Sequence, residues 1–507
     1  MNPGDYRRDY AAYRSAVELA RFEHHAGLSP AHDTRAAEER YADLWTREAF
    51  ADLRRAFEET HAQFETERAG LLALAGAAAV GYAEARAREV SEELGRCAES
   101  GSFDWGGARV RASESPRLLA AETDAGRRGE LARRWLDAVG ACDDLRAGRL
   151  EALDEAARSL DFGGRRALYE EFTGASLEAL APSAEAFLRR TEAAYMTALS
   201  AWAARELPPG HAPEYADRFF FESAGRTAAG FPARDFGVSY AATLAGVGVR
   251  AGSRPNLRVD VEPRAGKRDD SACFAVAPPG DVRLVVGASP GGLEFHRRSF
   301  FEGGRAQMFA WASRETSSRH PEFVYAPDRA TEAGHGLLLS SLLREPAWLA
   351  TRRGTRAAEA EEAARASALL DLYAARRACA SVLYALAIER AGATRSEGLA
   401  QEFASLYSDA TGFRHEARTA LVDADVWFES ATDLRARLFA AGLREHLRAR
   451  HGRRWYESRG AGEELIDVWN TASRHRVEEL ARLLWGGESG FELLADSSVA
   501  ALGGRDG

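Results

Sequence analysis

The stretch FFEGGRAQM, residues 300–308, decides the fold predicted for this chain. A helical H-E-x-x-H pattern places two histidines one turn apart on the same face, where both can bind zinc beside a glutamate that activates a metal-bound water. The same frame reads F-E-G-G-R here. Glu302 keeps the glutamate position, while Phe301 and Arg305 stand where the histidines would be. Phenylalanine has no metal-binding atom and arginine carries a fixed positive charge, so neither residue can bind zinc.

The spacing predicts a helix that begins near Leu293 and carries these three side chains on neighbouring faces. Gly303 and Gly304 would lie in its middle, where each glycine costs about 1 kcal/mol relative to alanine. We expect that cost where another segment approaches the backbone closely. A second helix is predicted to begin after Asp328 and to carry Glu332.

The chain has 507 residues, of which 46% are hydrophobic and 28% charged, and its formal net charge is −10. This composition predicts a folded, soluble and largely helical protein. The acidic balance and the lack of a basic block argue against a nucleic-acid partner. No run of about 18 apolar residues occurs, so no membrane span is predicted.

The beginning of the sequence lacks the apolar core of a secretory signal, and we therefore expect a cytoplasmic protein. The four cysteines are far apart and none is in C-x-x-C spacing. That pattern predicts reduced, mostly buried thiols.

Helical periodicity dominates the chain, with a small hairpin predicted around residues 103–111. The best strand signals lie at about residues 256–288, where alternating runs flank the turn Pro278-Pro279-Gly280. We predict two domains. Residues 1–180 would form an N-terminal helical wall of a cleft, and residues 181–507 the catalytic-like domain with the small sheet.

With these segments the chain resembles the thimet oligopeptidase and oligoendopeptidase F family of zinc peptidases, in particular its compact bacterial branch. Residues 300–310 are similar to the family segment F-H-E-A-G-H-A-Q-H-F-A, residues 331–337 to T-E-G-x-A-x-L, and residues 345–349 to D-P-A-W-L. Further similar segments lie at residues 40–45, 186–192, 261–286 and 455–462. The resemblance covers nearly the whole chain.

The resemblance implies a mainly α fold of the gluzincin type. It would be an elongated, multi-helix body with a deep channel and one small β-sheet next to the degenerate H-E-x-x-H helix. Carried over by position, Glu302 matches the catalytic general base and Glu332 the third zinc ligand. Phe301 and Arg305 match the two histidine ligands and have replaced them.

The family also places a tyrosine on a late helix to stabilise the oxyanion of the tetrahedral intermediate. The corresponding position here is Asp433, whose carboxylate would oppose a developing negative charge. Metal binding and oxyanion stabilisation therefore both look lost.

Two buried carboxylates that face each other raise each other's pKa and destabilise a fold unless a cation lies between them. We hypothesise that Arg305 is this cation: its guanidinium would reach Glu332 and replace the charge and volume of the metal. A rearranged metal site that uses Glu302, Glu332 and His335, with His296 as a further candidate, is the alternative.

The sequence favours a catalytically inactive peptidase homologue, a pseudopeptidase, that needs no cofactor. It would bind a peptide or unfolded segment, for example by strand addition to the edge strand at residues 273–277. The alternative is an active metallo-oligopeptidase that hydrolyses short peptides with zinc in the rearranged site. A structural or assembly role is a third interpretation. Loss of the metal argues against catalysis, because polarisation of the carbonyl and activation of water both need it.

Overall fold

The computed structural model describes residues 1–224, 230–249, 256–325 and 328–503. Helices dominate these residues, and five short strands form two small sheets. The predicted mainly α fold with a small sheet is confirmed. In chain order the helices are α1 (Pro3–His25), α2 (Arg35–Arg40), α3 (Arg47–Glu59), α4 (Glu65–Arg86), α5 (Arg88–Ser100), α6 (Ser115–Ala121), α7 (Ala125–Gly140), α8 (Asp143–Ser159), α9 (Arg165–Thr173), α10 (Leu177–Glu206), α11 (Asp217–Glu222), α12 (Asp235–Gly246), α13 (Leu293–Trp311), α14 (Arg314–Arg319), α15 (Ala330–Ser340), α16 (Pro346–Arg353), α17 (Ala357–Ala391), α18 (Glu397–Thr411), α19 (Glu429–His451), α20 (Arg459–Asn470), α21 (Val477–Trp485) and α22 (Phe491–Leu502).

The chain divides into two compact units, each built from three stretches of sequence. The first unit comprises Met1–Tyr82, Ala228–Ala364 and Arg435–Leu493. The second unit comprises Ala83–Thr227, Arg365–Leu434 and Leu494–Gly507. This division differs from the predicted boundary at residue 180, and the roles predicted for the two ranges as a cleft wall and a catalytic-like domain stay a prediction.

The first unit contains the three-stranded sheet β3 (Leu257–Asp260), β4 (Ala272–Ala277) and β5 (Asp281–Val285). The strand order is β3-β5-β4, with β3 parallel and β4 antiparallel to β5. The predicted turn at residues 278–280 joins β4 to β5, where the Gly280 N–H donates to the Ala277 carbonyl at 2.7 Å. Helix α1 covers this sheet, and the rings of Phe22 and Phe274 meet edge to face at 5.9 Å.

Helix α13 begins at Leu293 as predicted, lies against β4 and packs closely along α15. Glycines make this approach possible. A Cβ added to Gly304 would lie 2.4 Å from the carbonyl oxygen of His335, and one added to Gly336 would lie 2.7 Å from the ring of Phe301. The expected close approach at the middle of the motif helix is therefore present.

The second unit contains the hairpin of β1 (Ser102–Trp105) and β2 (Ala108–Arg111), at the position predicted. It packs on a core that includes Trp135 and Phe219, whose rings meet edge to face at 5.5 Å. A fully buried ion pair between Arg128 and Asp217, with nitrogen and oxygen 2.7 Å apart, ties α7 to α11 in this core.

The prediction of four reduced cysteines is wrong for one pair. Cys97 and Cys142 form a disulfide, and their Cα atoms are 6.0 Å apart. They are 45 residues apart in sequence, and the fold brings them together because α5 and α8 pack side by side. Cys273 and Cys379 are buried thiols, as expected.

Within residues 1–224, 230–249, 256–325 and 328–503, every helix is too short or too polar to cross a lipid bilayer.

Candidate functional site

Helix α13 holds the motif side chains because its opposite face is anchored in the core. Phe300 is fully buried, and its ring meets Trp348 edge to face at 5.1 Å and Phe236 at 5.4 Å. This anchoring fixes the rotation of the helix, so that the following residues face α15 and the sheet. Helix α15 begins two residues after Asp328, which accepts a hydrogen bond from the Ala330 N–H at 3.1 Å, and its N-cap residue is Arg329.

Glu302, which the sequence resemblance matches with the general base, is almost completely buried, with a side chain that is 2% exposed. Its Oε2 accepts a hydrogen bond from the Cys273 backbone N–H of β4 at 3.0 Å and another from Nη1 of Arg305 at 2.5 Å. Its Oε1 lies 3.3 Å from Nε of Arg298, one turn earlier on the same helix. Both carboxylate oxygens are therefore engaged with donors or cations of the protein itself.

Arg305, which the sequence resemblance matches with the second histidine, lies between Glu302 and Glu332. Its Nη2 donates to Oε1 of Glu332 at 3.1 Å while its Nη1 donates to Glu302. The guanidinium thus divides its contacts between two carboxylates and does not form a bidentate pair with Glu332. Burial opposes its charge, but the two carboxylates outweigh burial and raise its pKa, so Arg305 stays a cation.

Glu332, at the position of the third zinc ligand, has a side chain that is 12% exposed and a second cationic partner. Nε of Arg329 donates to the same Oε1 at 2.8 Å. Burial would raise the pKa of Glu332, but the positive charges of Arg305, Arg329 and the more distant Arg14 lower it to about 2. The carboxylate is therefore ionised and held by arginines at neutral pH.

Phe301, at the position of the first histidine, packs against α15. A Cβ added at Gly336 would lie 2.7 Å from its ring, and the Arg298 guanidinium lies 5.8 Å from the ring centre. A zinc ion at this point would meet an aromatic ring and a guanidinium where its two imidazole ligands belong. The two remaining acids are already bound by cations, so the residues present do not fit a zinc ion.

His335, the candidate ligand of a rearranged site, is buried between aromatic residues. Its Nδ1 accepts a hydrogen bond from Nε1 of Trp469 at 3.3 Å, and its ring packs edge to face on Phe439 at 5.6 Å. Burial lowers its pKa to about 3, so the ring is neutral and its Nε2 carries the proton. This nitrogen has no hydrogen-bond partner in the described part of the chain.

His296 has both ring nitrogens engaged away from the two acids. Nε2 lies 3.1 Å from the Pro232 carbonyl oxygen, and Nδ1 lies 3.2 Å from Nη1 of Arg353. Burial and the nearby Arg353 lower its pKa to about 4. Among the residues that the structure describes, no group of three or more histidine, cysteine or carboxylate side chains is placed to hold a metal ion.

The sequence reasoning missed four parts of this site. Arg298 and Arg329 could have been found, because they precede Glu302 by four residues and Glu332 by three, which are the spacings of helical ion pairs. Arg14 and the Cys273 backbone N–H come from distant parts of the chain. No local signal marks them.

The edge of β4 is partly occupied by side chains. The Cys273 N–H donates to Glu302, and the Val276 carbonyl accepts a hydrogen bond from the Tyr325 hydroxyl at 2.9 Å. A peptide added to this edge as a further strand would have to displace both contacts, so the structure disfavours strand addition along β4.

No protein-family model matches this sequence, and no curated protein is similar to it by sequence. Solved structures do share its fold. One is the metallocarboxypeptidase 1 of Trypanosoma cruzi, with 13% identity, a TM-score of 0.60 and coverage of 99% of each chain. Another is a Bacillus anthracis strain Ames protein described as an oligoendopeptidase F, with 14% identity and a TM-score of 0.68, which covers 98% of this chain and 90% of the other. At this level of identity the similarity shows a shared fold, and the chain therefore has the fold of these two solved structures.

Proposed function

We propose that this protein is a peptidase homologue that does not hydrolyse peptides. The observation that carries the proposal is the position of Arg305. Its guanidinium bridges Glu302 and Glu332, and it stands at the sequence position that we match with a zinc-binding histidine. The arrangement supplies the positive charge that two buried acids require, and it uses the carboxylates that hydrolysis would need.

The carboxylate of Glu302 is not free to act as a general base. Such a base must reach a water molecule beside the reacting carbonyl and accept its proton. Oε2 of Glu302 already accepts two hydrogen bonds, and Oε1 is paired with Arg298. The alternative, an active site of Glu302, Glu332 and His335 around a metal, is disfavoured because Trp469 and Phe439 surround His335 and arginines hold both acids.

Peptide binding is the activity that we propose in place of hydrolysis. The fold is that of two proteins described as peptidases, and two guanidiniums beside the former catalytic residues are accessible. The side chains of Arg298 and Arg329 are 52% and 60% exposed. Together with Arg305 they outnumber the two carboxylates by one charge, which favours a peptide that carries acidic groups near its binding position.

The proposal is tested by measuring metal content and hydrolysis on the same purified protein. We expect substoichiometric zinc and no cleavage of a panel of quenched fluorescent peptides, with or without added zinc. The matched control is Glu302→Gln, which removes the base but keeps the side-chain shape. Hydrolysis by the unmodified protein that disappears in Glu302→Gln would overturn the proposal.

Binding is tested separately with fluorescently labelled acidic and neutral peptides of equal length in anisotropy titrations. We expect tighter binding of the acidic set, and weakening by Arg298→Glu with Arg329→Glu. Arg189→Glu on α10 reverses a comparably exposed charge and is expected to change nothing. Equal affinity for both peptide sets, or equal loss in the control, would contradict the charge preference.

A further inference from the structure

The second unit contains a cavity of about 630 Å³ that the proposed function does not use. One wall is a face of α8, from Leu150 to Arg158, and another is a face of α17, from Ser381 to Glu389. The start of α9 and the loop before α19 complete the lining. A cavity of this volume is in the range of sites that bind small molecules.

Part of the cavity wall is apolar. Leu150 and Phe428 are buried residues, with 3% and 7% of their surface exposed. Ala385 and Ile388 of α17 are partly buried and line the same space. A ligand that fills the cavity would therefore bury apolar groups against these four side chains.

Most charged groups of the wall are already engaged within the protein. The engaged groups are Arg165 with Asp154, Arg166 with Glu389, Arg395 with Asp144, and Asp425 with the first two N–H groups of α19. These groups hold the walls together, and a ligand would have to compete with their present partners.

Three polar side chains of the wall remain available to a ligand. Arg158 is exposed and has no hydrogen-bond or ion-pair partner in the described part of the chain. Glu151 accepts one hydrogen bond at Oε1, from the Thr394 hydroxyl at 2.6 Å, and no described cation pairs with it. Tyr384 is only 5% exposed, and its hydroxyl makes no hydrogen bond with a described residue.

The two available charges have opposite signs and lie on the same face of α8. Glu151 and Arg158 are seven residues apart, which is two helical turns or about 10.5 Å along the axis. An extended peptide advances by about 3.4 Å per residue, so the ends of three residues are about 10 Å apart. The amino and carboxylate ends of such a peptide match the spacing of these two side chains.

We propose that this cavity binds a short peptide of about three residues that has free ends and apolar side chains. Its amino group would bind Glu151 and its carboxylate would bind Arg158. Its side chains would pack on the apolar part of the wall, and the Tyr384 hydroxyl would bond to one of its peptide groups. The inference does not depend on the proposed function, because it concerns the other unit and a ligand without acidic side chains.

The test is isothermal titration calorimetry of the full-length protein with the tripeptide leucyl-alanyl-leucine. The N-acetylated and the C-amidated forms of the same tripeptide each lack one terminal charge. We expect the free tripeptide to bind about tenfold more tightly than either blocked form, because each block removes one charge-assisted hydrogen bond. Equal affinities for the three forms, or no binding of the free form, would overturn the proposal.

Single variants assign each end of the ligand to its residue. Arg158→Gln should remove the difference between the free and the amidated form and keep that between the free and the acetylated form. Glu151→Gln should do the reverse. Both side chains are exposed, so both variants should fold, and Arg189→Gln on α10 of the same unit is the matched control that should change no affinity. An equal loss of affinity for all three forms in Arg158→Gln and Glu151→Gln would refute the assignment.

Discussion

Nη1 of Arg305 lies 2.5 Å from Oε2 of Glu302, the residue almost one helical turn before it. In an H-E-x-x-H helix the same two positions hold a metal ligand and the base that acts on metal-bound water. Here the side chain at the ligand position donates to the side chain at the base position. Under the proposed correspondence of positions, one arginine replaces a zinc ligand, supplies a counter-charge to Glu302 and donates to the oxygen that would accept a proton.

The first prediction concerns restoration of metal binding. Phe301→His combined with Arg305→His should bind zinc, because two histidines at i and i+4 of α13 would join Glu332 of α15 in a set of three ligands. We expect about one equivalent of zinc per chain by inductively coupled plasma mass spectrometry after dialysis. The unmodified protein should retain much less.

The control for this experiment is the triple variant that adds Glu332→Gln, which keeps the two histidines but removes the third ligand. It should lose the zinc gained by the double variant. If the double variant folds but takes up no more zinc than the unmodified protein, the ligand positions have moved apart and the correspondence of Phe301 and Arg305 with the histidines is wrong.

The second prediction concerns stability in acid. The folded-state pKa of Glu332 is about 2, below its ordinary value of 4.5. A lowered pKa stabilises the folded protein above the ordinary value, and this contribution is lost as the pH falls from about 4.5 towards 2. The shift corresponds to about 3 kcal/mol for a side chain that is mostly buried.

Urea unfolding of the unmodified protein and of Glu332→Gln at pH 7, 4 and 3 measures this contribution. The difference in unfolding free energy between the two proteins should shrink as the pH falls, because only the unmodified protein has the carboxylate to lose. Glu99→Gln, at an exposed position, should follow the unmodified protein at every pH. A constant difference for Glu332→Gln across the three pH values would contradict the assignment.

Most of what could be predicted about this site followed from the spacing of residues that are close together in the sequence. The motif frame placed Phe301, Glu302 and Arg305 on one helix, and the helix predicted to begin after Asp328 placed Glu332 on the next. The helix start at Leu293 and the strands near residues 256–288 followed from periodicity and turn residues. These features depend on neighbours within a few residues, which a sequence displays directly.

Long-range contacts could not be predicted in the same way. The Cys97–Cys142 disulfide depends on the packing of α5 against α8, and the Cys273 N–H reaches Glu302 only because β4 lies beside α13. The division of the chain into two units of three stretches each also depends on tertiary packing. No local composition change marks these relationships.

The third prediction tests the close packing of α13 on α15. Gly304→Ala should destabilise the protein, although alanine favours helix, because its Cβ would lie 2.4 Å from the His335 carbonyl oxygen and 2.9 Å from Gly336 Cα. Both contacts are with backbone, so relief requires the helices to separate, at a cost of about 1–3 kcal/mol. Chemical denaturation measures the change.

The matched control is Gly237→Ala on α12 in the same unit, where an added Cβ meets nothing within 4 Å. This variant should be neutral or more stable by up to about 1 kcal/mol, since only helix propensity changes. If the two substitutions have the same effect, the two helices are not packed at Gly304 as described.

The last prediction concerns the disulfide of the second unit. The bond closes a loop of 45 residues between α5 and α8. In the chain-entropy description such a closure stabilises the folded protein by about 4 kcal/mol, because the cross-link lowers the entropy of the unfolded chain.

Thiol titration checks the bond directly. Protein denatured without reductant should show two thiols, from Cys273 and Cys379, and four after reduction. The double variant Cys97→Ser with Cys142→Ser should unfold at a lower denaturant concentration than the unmodified protein. The control Cys379→Ser keeps the cross-link, so reductant should destabilise it by the same amount as it destabilises the unmodified protein. Four thiols in the unreduced sample would show that α5 and α8 pack together without a covalent bond, and the loss of stability on reduction would then be absent.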